Sequence, residues 1–308
     1  MINVQFAARP ERWDSYATLL RAAFEKADLD VDLRVDHAPE TVDYIIYAPN
    51  GPLSDFAPYT RCKAVLSLWA GVEKIVGNAS LTMPLCRMVD PGLTMGMVEW
   101  VTGHVLRYHL DIDRSLSMQD QWKPQIPPLA LERPVTILGL GALGQACAQT
   151  LSQLGFPVTG WSRSPKVIDG ITCQHGAEGL AQALESAEIV VLLLPDTAAT
   201  ENTLNAQTLA LLPKGARVIN PGRGPLIDDD ALLAALDSGH IAHATLDVFR
   251  IEPLPADHPY WAHPNVTVTP HIAADTRAIT SAQVIAENIR RGECAEPYLH
   301  LVDRDLGY

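Results

Sequence analysis

The sequence predicts an α/β protein whose second part is a doubly wound parallel sheet. Three observations carry that prediction. Short apolar runs alternate with segments of helical period along the whole chain. One of those runs, Val135–Leu138, ends in a glycine turn that opens a helix. Another, Ile189–Leu194, reads as a strand buried within a sheet.

In order, Ile2–Phe6 reads as a strand and Trp13–Ala27 as an amphipathic helix, while Tyr44–Tyr47 and Ala64–Leu68 read as strands. The last of these runs into Trp69, Ala70, Gly71 and Val72. A long helical pattern from about Met95 to Met118 has the character of a connector between domains, and the proline-rich stretch Trp122–Pro128 cannot continue it. From Pro134 the pattern restarts: Val135–Leu138 as strand, Ala142–Leu154 as helix, then Pro157–Trp161 and Ile189–Leu194 as strands. Val218–Asn220 and Ala244–Val248 follow as strands with a helix at Asp228–Asp237 between them. Val266–Val268 is a last β-like run, and the helical segment Thr276–Arg291 leads to the tail, which could carry the chain back to the first domain. No solenoid repeat or low-complexity tract interrupts this order.

A chain of 308 residues, 47% hydrophobic and 19% charged, suits two ordinary soluble domains. Its formal charge of −13 argues against nucleic acid or an anionic membrane surface as partner, because both are bound through a basic field. Five scattered cysteines, Cys62, Cys86, Cys147, Cys173 and Cys294, contain no Cys-x-x-Cys spacing, so neither a disulfide framework nor a zinc site is expected. With no export signal at the N-terminus and no apolar run near bilayer length, a cytoplasmic location is expected. The pairs His240/His243 and His258/His263 lack carboxylate company at helical spacing, and no metal is expected.

The turn Gly139-Leu140-Gly141-Ala142-Leu143-Gly144 has the context that a dinucleotide site requires, a strand before it and a helix after it. Gly139 would allow the tight turn, Gly141 the approach of pyrophosphate to the backbone, and Gly144 the packing of helix on strand. Without a ligand, the same residues are simply a tight strand-to-helix turn. The next strand ends in Trp161-Ser162-Arg163-Ser164, with no carboxylate for the ribose hydroxyls. Arg163 lies 19 residues after Gly144 and could pair with a 2′-phosphate, so NADP(H) is expected over NAD(H), which stays possible. As an ordinary residue, Arg163 would be a solvated loop arginine.

Three further pieces belong to one chemistry: Gly222-Arg223-Gly224, Glu252-Pro253-Leu254 and Thr269-Pro270-His271-Ile272. Reduction of a 2-oxo acid needs a cation for the carboxylate, an acid for the carbonyl oxygen and a group that keeps this acid protonated. Arg223, His271 and Glu252 supply those types in that order. Taken singly, each has a bland reading: a surface cation between flexible glycines, a structural histidine, a loop glutamate before a proline.

Together these motifs resemble the D-isomer-specific 2-hydroxyacid dehydrogenases. The order is the glycine motif, Arg223-Gly224, Leu246-Asp247-Val248-Phe249 with Glu252-Pro253-Leu254, and Pro270-His271. The segments Trp161–Ser164, Leu193-Leu194-Pro195, Leu232–Gly239, Thr269–Ala274 and Asp303-Arg304 to Gly307-Tyr308 are most similar to the glyoxylate/hydroxypyruvate reductase A branch. The match spans nearly all of residues 60–308. The resemblance implies two similar Rossmann-like domains around a cleft. A cofactor domain, 97–271, would be inserted into a catalytic domain made of 1–96 and 272–308, usually in a homodimer.

It further implies Arg223 as substrate and transition-state binder, Glu252 as partner of the histidine, and His271 as proton donor. Asp247 would contact the nicotinamide carboxamide, Leu194 and Pro195 would border the adenosine, and Asn220, Pro221 and Gly222 would complete the cofactor loop. The backbone of Ala70, Gly71 and Val72 would receive the substrate carboxylate. Pro221 departs from the small non-proline residues common in relatives and removes a backbone donor. The expected activity is NADPH-dependent reduction of glyoxylate, hydroxypyruvate or a similar small 2-oxo acid to the D-2-hydroxy acid. Alternatives are a bulkier 2-oxo acid, oxidation of formate or phosphite, or a non-catalytic NAD(P)-sensing interaction protein.

Overall fold

A computed structural model describes residues 1–307; Tyr308, the last residue of the tail motif, lies outside the described residues. The chain forms two compact units. One comprises Met1–Leu93 and the segment from Asp275 onward, the other Thr94–Ala274. The units therefore divide at 93/94 and 274/275, against expected boundaries of 96/97 and 271/272.

In the first unit, β1 (Ile2–Ala7), β2 (Val31–Arg34), β3 (Tyr44–Tyr47), β4 (Ala64–Ser67) and β5 (Leu85–Cys86) form a parallel sheet in the order β2-β1-β3-β4-β5. Tyr44–Tyr47 and Ala64–Ser67 are buried at every position, which fits strands covered on both faces. Helix α1 (Pro10–Lys26) begins at a proline, three residues before the apolar period shows itself, because proline's fixed φ suits a helix's first turn. Of its buried stripe Tyr16, Ala17, Leu20 and Phe24, the three large side chains join Ala282, Ile285, Ala286 and Ile289 of the last helix in one core.

The expected helix over 95–118 is two helices. α2 (Pro91–His109) ends before Asp111, whose φ of 54° is left-handed, and α3 (Ile112–Ser117) restarts after it. A left-handed residue cannot continue an α-helix, and no glycine or proline announces this one in the sequence.

The second unit is a seven-stranded parallel sheet. Its strands are β6 (Val135–Leu138), β7 (Val158–Ser162), β8 (Thr172–His175), β9 (Ile189–Leu192), β10 (Ala216–Asn220), β11 (Ile241–Leu246) and β12 (Val266–Val268), in the order β12-β11-β10-β9-β6-β7-β8. Neighbouring residues face opposite sides: Leu138, Val190 and Val218 enter one core, Ile137, Val191 and Ile219 the other. The connecting helices are α4 (Ala142–Gln153), α5 (Gly176–Glu185), α6 (Ala206–Leu211) and α7 (Asp229–Asp237), and α8 (Ala278–Glu293) closes the chain in the first unit. Asp228, expected inside α7, instead caps it, accepting from Ala231 N at 3.1 Å. The strand order reverses between β6 and β9, so the loops at their carboxyl ends diverge and leave the crevice where this sheet type takes ligands.

Candidate active site

The glycine turn lies at that reversal point. Gly139 has φ 107°, and a β-carbon there would lie 2.5 Å from Leu193 O in the loop after β9. A β-carbon on Gly144 would lie 1.7 Å from Gly139 O, so helix α4 could not begin where it does. Gly141 differs: a β-carbon would meet nothing within 4 Å. Two glycines are thus required by the protein's own packing, while the third faces open space at the N-terminus of α4, where Ala142, Leu143 and Gly144 present first-turn amides suited to a phosphate. These residues fit a dinucleotide.

Arg163 and Ser164 are exposed immediately beyond β7. Trp161 donates its indole N–H to Gly176 O at 2.8 Å, and buried Ser162 donates to Ser164 O at 2.8 Å, shaping the turn that carries Arg163. Lys166, which the sequence reading passed over, donates its ammonium to Leu140 O of the glycine turn. Its signal was only a second cation three residues after Arg163. Leu194 and Pro195 follow β9, with Pro195 O accepting from Thr200 Oγ1 at 2.6 Å.

Arg223, Glu252 and His271 follow three adjacent parallel strands, β10, β11 and β12. Asn220, buried at the end of β10, bridges the turn: its side chain accepts from Gly222 N at 3.1 Å and donates to Arg223 O at 2.9 Å. Pro221 sits inside this bridge, where no N–H of its own is used. Gly222 is needed because a β-carbon would lie 2.7 Å from Leu192 O. Arg223 donates from Nη1 to Gly222 O at 2.7 Å.

His271 Nδ1 and Glu252 Oε2 are 2.8 Å apart, and Glu252 Oε1 accepts from Phe249 N at 2.9 Å. The hydrogen bond to Glu252 raises the His271 pKa, against the opposing effect of burial; the charges of Glu252 and Asp247 add to the rise and that of Arg223 opposes it. Burial pushes Glu252 up, but its bonds to His271 and Phe249 and the charges of His271 and Arg223 outweigh that, and its carboxyl is held below the usual range. An acid kept charged beside its own carboxylate, with a guanidinium on the neighbouring loop, can protonate an oxygen next to a bound anion.

Asp247 is fully buried, and its carboxylate accepts from Thr269 Oγ1 at 2.6 Å, Ile272 N at 2.9 Å and Ala273 N at 2.9 Å. It is therefore the internal brace of the loop that bears His271, a role with no sequence signal beyond its place after a strand. In the first unit, Ala70 and Gly71 are half-buried in the loop after β4, while the Val72 side chain is buried in that unit's core. Any ligand there would meet backbone at Val72.

Among the described residues no group of three or more His, Cys, Asp or Glu could hold a metal ion, and no helix is long and apolar enough to cross a membrane. All five cysteines are free, and burial pushes the Cys62, Cys86 and Cys147 thiols up to about 12.

Residues 103–273 match the family model for the D-isomer specific 2-hydroxyacid dehydrogenase, NAD binding domain. The chain is 42% identical over 257 residues to a protein of Serratia proteamaculans named Glyoxylate/hydroxypyruvate reductase A, covering 80% of this chain and 82% of that one. A D-isomer specific 2-hydroxyacid dehydrogenase from Xanthobacter autotrophicus Py2, solved in complex with NADPH and MES, superposes with a TM-score of 0.93 at 42% identity, covering 100% of this chain and 99% of that one. An NADPH-dependent glyoxylate/hydroxypyruvate reductase from Sinorhizobium meliloti, solved with NADP and sulfate, gives a TM-score of 0.84 at 33% identity, with coverage of 100% and 99%. With a matched domain model over more than half its length and relatives alike across nearly all of it, the chain belongs to the D-isomer specific 2-hydroxyacid dehydrogenase family.

Proposed function

We propose that the protein reduces a small 2-oxo acid, such as glyoxylate or hydroxypyruvate, to the D-2-hydroxy acid with NADPH, and that NADH serves less well. The observation that carries this reading is the Glu252–His271 pair at 2.8 Å, on loops after adjacent strands, with Arg223 on the next loop of the same sheet. Glu252 engages Nδ1, which leaves Nε2 of His271 as the atom that gives its proton to the carbonyl oxygen. Arg223 holds the substrate's carboxylate and stabilises the charge that develops on that oxygen.

Bound nicotinamide supplies the hydride. The turn Gly139–Gly144 takes the pyrophosphate, Arg163 the 2′-phosphate, and Leu194, Pro195, Asn220, Pro221 and Gly222 border the rest; Asp247, expected at the nicotinamide carboxamide, is fully buried and instead braces the loop of His271. NADPH in the Xanthobacter relative and NADP in the Sinorhizobium relative support the cofactor choice; family membership supports the D-product. The exposed side chains Leu116, Trp122, Ile126, Leu129 and Leu131, close together in sequence, support self-association of this chain, and the free cysteines suit a cytoplasmic setting.

The test is the initial rate of NADPH consumption, with NADH in parallel, across glyoxylate, hydroxypyruvate, pyruvate, phenylpyruvate and branched 2-oxo acids, followed by chiral analysis of the product. Turnover of a small acid with NADPH to the D-isomer is expected. Binding of NADPH without turnover of any acid would overturn the reading.

A further inference from the structure

Arg250 lies two residues before Glu252, and nothing in its sequence setting marks it. Beyond Phe249 the loop runs outward: Ile251 is 66% exposed, and Glu252 and Pro253 are exposed as well. Hydrophobic packing therefore does little to fix the position of Glu252. The Arg250 guanidinium reaches back across the loop. Its Nη2 donates to Ile227 O at 2.7 Å, to Pro225 O at 3.3 Å and to Asn202 Oδ1, while Nη1 donates to Glu201 Oε1 at 3.3 Å. Its Nε lies 3.8 Å from Asp229 Oδ2, at the start of α7. Pro225 and Ile227 belong to the turn that begins at Arg223. The same two segments touch through their backbones, since a β-carbon on Gly224 would lie 2.0 Å from Phe249 C and 2.3 Å from Arg250 N.

We propose that Arg250 is a positioning residue for catalysis: its guanidinium ties the loop that bears Glu252 to the turn that bears Arg223, and so keeps Glu252 on His271. One planar fork satisfies carbonyls and side chains on three segments at once, which a lysine's single ammonium would do only in part. The residue touches neither substrate nor cofactor and acts through Glu252. This inference rests on the functional reading above, but the contact it explains, Glu252 to His271, is measurable without turnover.

The sign of the effect separates positioning from simple electrostatics. The charged groups that face His271 are Glu252, Arg223 and Asp247. Deleting a cation by its charge alone would raise the His271 pKa, whereas loosening Glu252 would lower it. The experiment is a proton–carbon NMR titration of the His271 ring in cofactor-free wild type, Arg250→Gln, Arg250→Lys and Asn202→Gly, with the same Arg250→Gln change also made on Glu252→Gln. Asn202 has φ 51°, so glycine keeps its backbone conformation while removing one acceptor of the clamp, should Arg250→Gln fail to fold.

Expected is a fall of about half a pH unit or more in the His271 midpoint for Arg250→Gln, a smaller fall for Arg250→Lys and Asn202→Gly, and no further fall when Glu252 is already glutamine. In the active enzyme, the basic limb of the kcat profile moves with the midpoint, while KM for NADPH stays within about twofold. An unchanged or raised midpoint in the folded variants, or an equal fall on the Glu252→Gln background, would overturn the proposal. Wild type that turns over no 2-oxo acid would sink the functional reading and leave the titration to decide on Arg250.

Discussion

Replacing Glu252 by glutamine keeps the shape and one acceptor of the side chain but removes the charge 2.8 Å from His271 Nδ1. Two unit charges about 4 Å apart interact by about 1 kcal/mol in water and about 4 kcal/mol at an effective dielectric constant of about 20. The side chains of His271 and Glu252 are 50% and 35% exposed, so the interaction belongs near the lower end, at about 1–2 kcal/mol. At about 1.4 kcal/mol per pKa unit, His271 should lose about one unit. The assay is kcat for 2-oxo acid reduction across pH at saturating NADPH. The basic limb should move about one unit toward acid, with the low-pH plateau and NADPH affinity nearly unchanged, because His271 is still protonated there. A limb that stays in place, or moves toward base, would refute the pairing as the source of the acid's charge.

The same substitution has a signature in stability. His271 is raised in the folded state, so its share of the stabilisation is complete below its unfolded value of ~6.5 and disappears as pH rises through the folded value. Glu252 is lowered, so its share is present above its unfolded value of ~4.3 and disappears as pH falls through the folded value. The difference in Tm between wild type and Glu252→Gln should therefore peak between about pH 4.3 and 6.5 and shrink on either side. For a half-exposed pair it should correspond to no more than about 1 kcal/mol.

Arg163→Ala should weaken NADPH by about tenfold or more while changing NADH little, since a charge-assisted bond to the 2′-phosphate contributes roughly 1.5–3 kcal/mol; equal losses in titrations with the two cofactors would exclude that assignment. Gly141→Ala and Gly144→Ala should separate cleanly by thermal melting and NADPH titration. The first leaves the melting temperature of the cofactor-free protein in place but weakens NADPH about tenfold or more, while the second lowers that temperature, because its β-carbon would collide with Gly139 O. Asp247→Asn would turn an amide NH2 toward the Ile272 or Ala273 N–H, leaving a buried donor unsatisfied. A loss of about 1–3 kcal/mol in denaturant unfolding is expected, together with a lower kcat.

The strands most legible in the sequence were those buried on both faces, where an unbroken apolar run marks them: Tyr44–Tyr47 and Val135–Leu138 have the limits read from the sequence. Val266–Val268 has them too, although it is a partly buried edge strand, because its three residues are all β-branched. Thr172–His175 was missed because it is an edge strand with exposed ends and no apolar run, and Leu85–Cys86 because two residues carry no period. α6 is held by Asn205, which accepts from the Gln207 and Thr208 amides, a signal readable only once the helix is known. The reactive side chains could be named because each must be of a particular chemical type in a particular order. Lys166, Thr269 and Arg250 act on backbone carbonyls or a buried carboxylate up to 26 residues away in sequence, and such partners leave no local pattern.

The placement of His271 shows what holds such a site together. Its φ of 54° is uncommon for a residue with a β-carbon and costs roughly 1–2 kcal/mol. The conformation is fixed by the surroundings of a neighbouring strand. His271 N donates to Asp247 O at 2.9 Å, and the Asp247 carboxylate gathers Thr269, Ile272 and Ala273 around it. Bonds to a buried carboxylate contribute about 1.5–3 kcal/mol each relative to water, enough to offset the strained residue. The imidazole can then meet a glutamate on the adjacent loop while only half packed against the protein, which leaves the other half exposed for a reactant. A parallel sheet makes this arrangement available because every strand ends on the same side, so residues far apart in the chain converge where the loops begin.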